Sequence, residues 1–293
     1  MSPAPRGKGG RGKAQGGRGK PPARGAAPRG RSASQPPRRT APRAQGLGGD
    51  QVEGRNAVIE LLQARTRPTN RVLMAAELDP SEQLDRIESL CRELRVPLEV
   101  VSRARVDREA ATESHQGVLA YTKPLKDHEL DDLLSQGDGH PFLLVCDGLT
   151  DPHNLGSLLR TAECAGVTGI LLPRHRSARV SPTVTKVAAG SIEHLRFCSV
   201  SGVPSALERL AKAGVEVVGL AGEAKRSLFS LDLRDRPVAL VVGSEDKGLA
   251  SLSRKRCTEL ASIPQAGKTE SLNASVAGAV AIYEVARQRG FSS

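Results

Sequence analysis

Tryptophan is absent from this chain of 293 residues, and the other aromatics come to only four phenylalanines and two tyrosines. So few rings leave no base-stacking platform of the RRM type, which favours reading any RNA by shape and backbone. Cysteine is also sparse. Cys91, Cys146, Cys164, Cys198 and Cys257 are odd in number, scattered, and never form a C-x-x-C pair. That spacing offers neither a disulfide framework nor a zinc site, and it suits a reduced, cytoplasmic setting with no metal. No run of about 18 apolar residues occurs, and no apolar segment follows a basic start in the manner of a secretory signal, so no membrane contact is expected. Acidic side chains are nearly missing from the first 50 residues, where Asp50 stands alone against 12 Lys and Arg.

That local shortage accounts for the entire net charge of +11, because residues 51–293 hold 31 basic and 31 acidic side chains. Residues 1–50 also contain 12 Gly and 8 Pro and almost no large apolar side chain. Such a segment cannot bury enough surface to offset its ordering entropy, which predicts a disordered basic tail over residues 1–50. Its charge suits contact with RNA phosphates through counterion release, and a merely solvated tail is the alternative. A transit peptide would be equally Arg-rich and acid-poor, but this tail lacks the apolar spacing of an amphipathic helix.

After the tail, helical and strand patterns alternate. Ala57 to Leu62 and Ser81 to Leu94 have helical spacing, while Arg71 to Ala75, Leu98 to Val101 and Val118 to Tyr121 read as strands. Together with the His115-Gln116-Gly117 turn they predict a small α/β domain over residues 51–122. Residues 123–140 are polar, carry Asp131-Asp132 and the Gly137-Asp138-Gly139 turn signal, and read as a linker with a short helix. A second α/β unit follows over 141–293. Its apolar runs are Phe142 to Cys146, Gly169 to Leu172, Leu195 to Val200, Val215 to Leu220, Val238 to Val242 and Leu260 to Ile263. Several are apolar on both faces, as parallel strands covered by helices must be.

Three polar stretches stand at the ends of such runs. The first, Asp147 to Ala162, contains Asn154-x-Gly156-x-x-x-Arg160; Asn154 is expected to cap a helix and Arg160 to project from its second turn. A plain cap and a surface arginine are the competing reading. The second, Gly243-x-Glu245-x-x-Gly248, brackets a polar turn with glycines, which lets a ligand approach backbone amides at a strand's carboxyl end. It is neither a G-x-G-x-x-G fingerprint nor a P-loop. The third is Ser271-Leu272-Asn273, where Ser271 and Asn273 are good capping residues for a final helix. In that helix Leu272, Val276, Ala279, Val280 and Tyr283 recur at three- and four-residue spacing and are expected to face the core. Ala274, Ala277, Gly278 and Ala281 leave room for close approach by a neighbouring element or chain.

In this order and at these intervals, the three motifs resemble the SpoU (TrmH) family of the SPOUT superfamily, RNA ribose 2'-O-methyltransferases, over about residues 142–290. The small domain, with Gly54, Ala57-Val58 and His115-Gln116-Gly117, resembles the L30e-like RNA-binding domain of those members that methylate a guanosine of 23S rRNA. The resemblance implies a C-terminal parallel sheet with a deep trefoil knot, a homodimer, and S-adenosyl-L-methionine as methyl donor, held largely through backbone at Gly243, Ile263 and Leu272. It implies a catalytic set of Arg160, Asn154, Glu245, Ser271 and Asn273, with Arg160 stabilising the developing alkoxide and the others orienting it and the target nucleotide. RNA is the implied partner; DNA, membrane and metal are not. A tRNA or another rRNA site is the alternative substrate, and a non-catalytic ribosome-assembly protein the alternative class. His115 reads as structural and His153 as a turn residue. The Arg174 to Arg179 cluster, Lys186 and Lys268 are open between phosphate contact and solvated surface.

Overall fold

The computed structural model describes residues 46–135, 140–175, 177–268 and 271–290. The tail before residue 46, the Gly137-Asp138-Gly139 turn, Arg176 and the Thr269-Glu270 pair lie outside the described residues. The first half comprises β1 (Gln51–Glu53), α1 (Arg55–Ala64), β2 (Thr69–Ala75), α2 (Glu82–Leu94), β3 (Leu98–Val101), α3 (Arg103–Glu109) and β4 (Val118–Thr122), followed by α4 (Leu130–Leu134). The second comprises β5 (Phe142–Asp147), α5 (Pro152–Cys164), β6 (Gly169–Pro173), α6 (Pro182–Val187), a 3-10 turn at Ser191–His194, β7 (Phe197–Val200), α7 (Val203–Lys212), β8 (Glu216–Leu220) and β9 (Arg226–Ser227). It ends with β10 (Val238–Gly243), α8 (Ser251–Arg256), β11 (Glu259–Ser262) and α9 (Ala274–Arg289).

The first four strands form a mixed sheet in the order β1-β4-β2-β3. Ser81 caps α2 by accepting from the Leu84 amide, and Leu84, Ile87, Leu90 and Cys91 recur at helical spacing to pack on α1 and one face of the sheet. His115 is buried: its Nδ1 accepts from the Gly117 amide at 3.1 Å and its Nε2 lies 3.0 Å from Asp107.

The other strands form a seven-stranded sheet in the order β7-β6-β5-β10-β8-β11-β9, parallel throughout. Its centre is the pairing of β5 with β10, from Val238 beside Phe142 to Gly243 beside Asp147. Every residue of both strands is buried, which explains their unbroken apolar character. Burial of this kind is worth roughly 1.5–3 kcal/mol for each large aliphatic side chain. It also pushes the Cys146 thiol up to about 12, consistent with an inert core residue. No described helix is long and apolar enough to cross a membrane.

Two expectations change. Of the segment predicted to be tail up to residue 50, residues 46–50 pack against the large half. Leu47 is buried in the large core, Gly48 bridges Val180, and the Gly49 amide donates to the Val180 carbonyl at 2.7 Å. One large aliphatic side chain and a backbone partner suffice to hold it. The stretch read as a linker belongs to the large half: Leu130 and Leu133 enter its core, and the Ser199 amide donates to Asp127 at 2.7 Å.

The two sheets meet along a seam made by α1, α6 and the 3-10 turn. Arg67 crosses it to Glu193, donating at 2.6 and 2.8 Å, and the two side chains are only 7 % and 1 % exposed. Arg67 also donates to the carbonyls of Gly49 and Lys123. Gly190, at φ +90, lies so close to α1 that an added Cβ would stand 2.3 Å from Cβ of Glu60. No larger residue fits there without moving the helix.

Candidate active site

Asp151, and not the expected Asn154, caps α5. Its carboxylate accepts from the His153 amide at 2.9 Å, and Pro152 takes the first helical position, where its missing N–H is no loss. Asn154 is thereby moved into the first turn and buried, 8 % exposed, facing the loops after β10 and β11. Its Nδ2 donates to Glu245 Oε1 at 2.7 Å. A carboxylate without a proton can only accept, so this contact fixes the amide's orientation and turns Oδ1 the other way. Oδ1 accepts from Asn273 Nδ2 at 3.0 Å and from Ser275 Oγ at 3.2 Å. Asn273 caps α9, its Oδ1 accepting from the amides of Ser275 and Val276. A single amide therefore joins three segments far apart in the chain.

Beside this network, the carboxyl ends of β8, β10 and β11 open into a cavity of about 600 Å³. Gly243, Ile263, Ser271 and Leu272 line it, together with Leu220, Val242, Glu223 and Glu245. The carboxyl ends of parallel strands are where open α/β sheets receive ligands. The turn after β10 is closed by reciprocal backbone bonds between Ser244 and Gly248, at 3.0 and 2.9 Å, with Gly248 at φ +62. Among the described residues, no cluster of three or more His, Cys, Asp or Glu could hold a metal.

Arg160 is not brought to this network within the chain. It is exposed on α5, about 9 Å further along the helix axis than Asn154 at 1.5 Å per residue. No described hydrogen bond or ion pair links it to Glu245, Asn273 or Ser271. Ser271 is exposed at the cavity lip, and His153 is exposed on the first turn of α5. Arg174 donates to Ser199 Oγ at 3.2 Å, and Arg179 donates to the Gly46 carbonyl. Lys186 is half-buried, near Gly54, and desolvation lowers its pKa.

The last helix turns the opposite face inward from the one its large side chains suggest. Gly278, Ala281, Ile282, Val285 and Ala286 are buried, whereas Leu272, Val276 and Tyr283 remain 40 %, 48 % and 45 % exposed. The small residues allow close packing on α5 and β10: a Cβ at Gly278 would stand 2.5 Å from Leu158 Cδ1. A larger side chain cannot occupy that gap, so the bulky row faces away.

A family model described as the SpoU rRNA Methylase family matches residues 141–283, and one described as RNA 2'-O ribose methyltransferase substrate binding matches residues 51–128. The chain belongs to the SpoU rRNA methylase family. It is 40 % identical over 244 residues to the 23S rRNA (guanosine-2'-O-)-methyltransferase RlmB of Pseudomonas aeruginosa, covering 82 % of this chain and 97 % of that one. The protein of the same name from Shewanella oneidensis is 44 % identical over 195 residues, 66 % of this chain and 78 % of its own. Among solved structures, the SpoU methyltransferase AviRb from Streptomyces viridochromogenes, in complex with the cofactor AdoMet, superimposes with a TM-score of 0.70 at 25 % identity, over 82 % of this chain and 89 % of that one.

Within this SpoU domain, sequence reasoning overlooked Ser275, whose hydroxyl bonds both Asn154 and Asn273. The Asn-x-Ser spacing at a helix start was the available signal, since such residues bond locally across a cap. It also overlooked Leu220, the last residue of β8 and legible only as the tail of an apolar run, and Glu223 in the turn that follows.

Proposed function

We propose that this protein transfers the methyl group of S-adenosylmethionine to a ribose 2'-hydroxyl of RNA, and that its substrate is a guanosine in 23S rRNA. The observation that carries the reading is the Asn154 network, which fixes the lip of the cavity at the ends of β8, β10 and β11. The names of the relatives, and the AdoMet bound by AviRb, support the same chemistry.

The residues present fit this cofactor. The cavity volume is that of an ordinary small-molecule site, its wall combines Leu220, Ile263 and Leu272 with strand-end backbone, and Glu223 and Glu245 add carboxylates able to accept from hydroxyls. When bound, S-adenosylmethionine supplies an electrophilic methyl group. Gly243, Ile263 and Leu272 hold the cofactor. Asn154, Glu245, Ser271 and Asn273 position the ribose. Arg160 stabilises negative charge developing on the 2'-oxygen, a donor role suited to guanidinium groups, which remain protonated in proteins.

The protein acts as a homodimer in which Arg160 of one copy serves the network of the other. Two features support this: Arg160 has no described bond to that network in its own chain, and the exposed row Leu272, Val276 and Tyr283 begins at the cavity wall. The small domain binds the RNA substrate, as the match over residues 51–128 suggests. The C-terminal chain forms a trefoil knot, and the enzyme works in the cytoplasm, where rRNA is made and modified.

Labelled methyl transfer to RNA from cells lacking the gene tests the reading, with 23S rRNA, 16S rRNA and tRNA separated. Label is expected as 2'-O-methylguanosine in 23S rRNA. If every fraction stays unlabelled while the protein still binds RNA, a non-catalytic assembly role replaces it. S-adenosylmethionine at about 100 times its Kd is expected to stabilise the fold by about 2.7 kcal/mol, raising Tm by roughly 5–10 °C.

The basic segment before residue 46 adds phosphate contacts. Each contact with single-stranded RNA contributes about 0.7 to the slope of log affinity against log salt, so engaging half of the 12 cationic side chains is worth about 4. Removing residues 1–45 is expected to reduce the slope by about that amount in a filter-binding titration. An unchanged slope would assign the segment no part in binding.

A further inference from the structure

A second cavity, of about 660 Å³, lies across the turn that follows β10 and shares Ser244, Lys247 and Gly248 with the first. It opens at the carboxyl ends of β5, β6 and β7, beside the central β5–β10 pair. From that pair the strand order runs outward in both directions, the crevice in which doubly wound sheets take ligands. Nothing in the proposed roles of Asn154, Arg160 or the cofactor-holding residues uses it.

Its walls are largely apolar, with Pro173, Val203 and Pro204 among them, and its one buried carboxylate belongs to Asp147, 8 % exposed. One oxygen of that carboxylate, Oδ2, accepts from the Ala250 amide at 2.8 Å. Oδ1 has no described protein donor. Since each carboxylate oxygen carries two acceptor positions, Asp147 retains three of four. Oδ1 is not among the described buried polar atoms that lack a partner, so it is reachable from the cavity, and the carboxylate can accept from donors that enter.

We propose that this cavity receives the base of the target nucleotide and that Asp147 selects guanine. Guanine alone among the four bases presents two adjacent donors, N1–H and the N2 amine, which a carboxylate accepts side by side. Adenine and cytosine offer an amine beside a bare acceptor nitrogen, and uracil offers one N–H flanked by carbonyls, so each places an acceptor against the charge. Pro173, Val203 and Pro204 exclude water around the base, which strengthens the discrimination. The position also fits the reaction: a base held here leaves its ribose at the shared turn, next to the cavity assigned to the cofactor. This inference rests on the reading of the protein as an RNA methyltransferase.

The test uses the full-length protein, S-adenosylmethionine, and an RNA fragment carrying the mapped target as guanosine or as inosine, which lacks only the N2 amine. The wild-type protein is expected to show kcat/KM about 10- to 100-fold lower on inosine, the loss of one hydrogen bond to a charged group. Asp147→Asn keeps an acceptor for the Ala250 amide but replaces the charge. It should lose activity on guanosine, bring the guanosine-to-inosine ratio towards one, and leave S-adenosylmethionine affinity and Tm unchanged. Ser201→Trp, at the exposed rim of the same cavity, should lower kcat/KM on RNA and likewise spare cofactor affinity. Equal rates on guanosine and inosine with wild-type protein would overturn the proposal while leaving the methyltransferase reading intact. So would an Asp147→Asn protein whose ratio is unchanged and whose Tm and cofactor affinity fall, since that marks a residue that only holds the loop. If the wild-type protein methylates no RNA, the underlying reading fails, and the base site with it.

Discussion

Arg160→Ala is expected to lower methyl transfer by about two to three orders of magnitude and to leave S-adenosylmethionine affinity unchanged. A positioned donor aimed at developing charge acts in the transition state, so its loss appears in kcat and not in cofactor binding. The separation of Arg160 from the Asn154 network within one chain sharpens the expectation. If the arginine works across a two-fold interface, mixing Arg160→Ala protein with Asn273→Ala protein restores activity that neither has alone. Random pairing puts half of the dimers in the mixed form with one intact site each, so recovery should approach about a quarter of the wild-type rate. An Arg160→Ala protein that methylates normally would remove the residue from the mechanism. A mixture that stays inactive would confine each site to a single chain.

Arg67→Met should be the most destabilising single change at the seam. It leaves Glu193 buried, 1 % exposed, with only the long contact from Thr66 Oγ1 at 3.4 Å. Stranding one member of a buried ion pair costs about 3–5 kcal/mol, which lowers Tm by about 10 °C in a protein of this size. The double change Arg67→Met with Glu193→Leu removes both charges and should regain most of the loss, because desolvation of the pair opposes much of its attraction. Thermal melting of the three proteins decides it. A single variant that melts like the wild type would show that the seam is held by packing alone.

Much of this architecture was legible because its cues are local. The unbroken apolar runs of β5 and β10 announced parallel strands, and glycines at both ends of a polar turn announced the loop at Gly243 to Gly248. The errors arose where tertiary packing decided between local options. Asn154 looked like a helix cap because Asn commonly is one, but Asp151 followed by Pro152 is the better start, and the displaced Asn154 became the hub of a network. Leu272 stands before the cap of α9, Asn273, outside the helix, whereas the spacing of Val276 and Tyr283 marked one face of it. That spacing could not say that Leu158 comes too near for anything but Gly278 on the other side. Asp147 carried no outward signal, since an acid at a strand end is ordinary.

The seam around Gly190 and Arg67 also bears on how such proteins can be rearranged. A recognition module taken from another family member would arrive with its own residue opposite position 190 and its own partner for Glu193. Unless the graft brings an arginine at the place of Arg67 and a first helix slim enough at Glu60, the two halves cannot close. Exchanging target preference by swapping whole modules therefore requires that both sides of the joint travel together, and among the loops of the small sheet the one between α1 and β2, which carries Arg67, has to be kept.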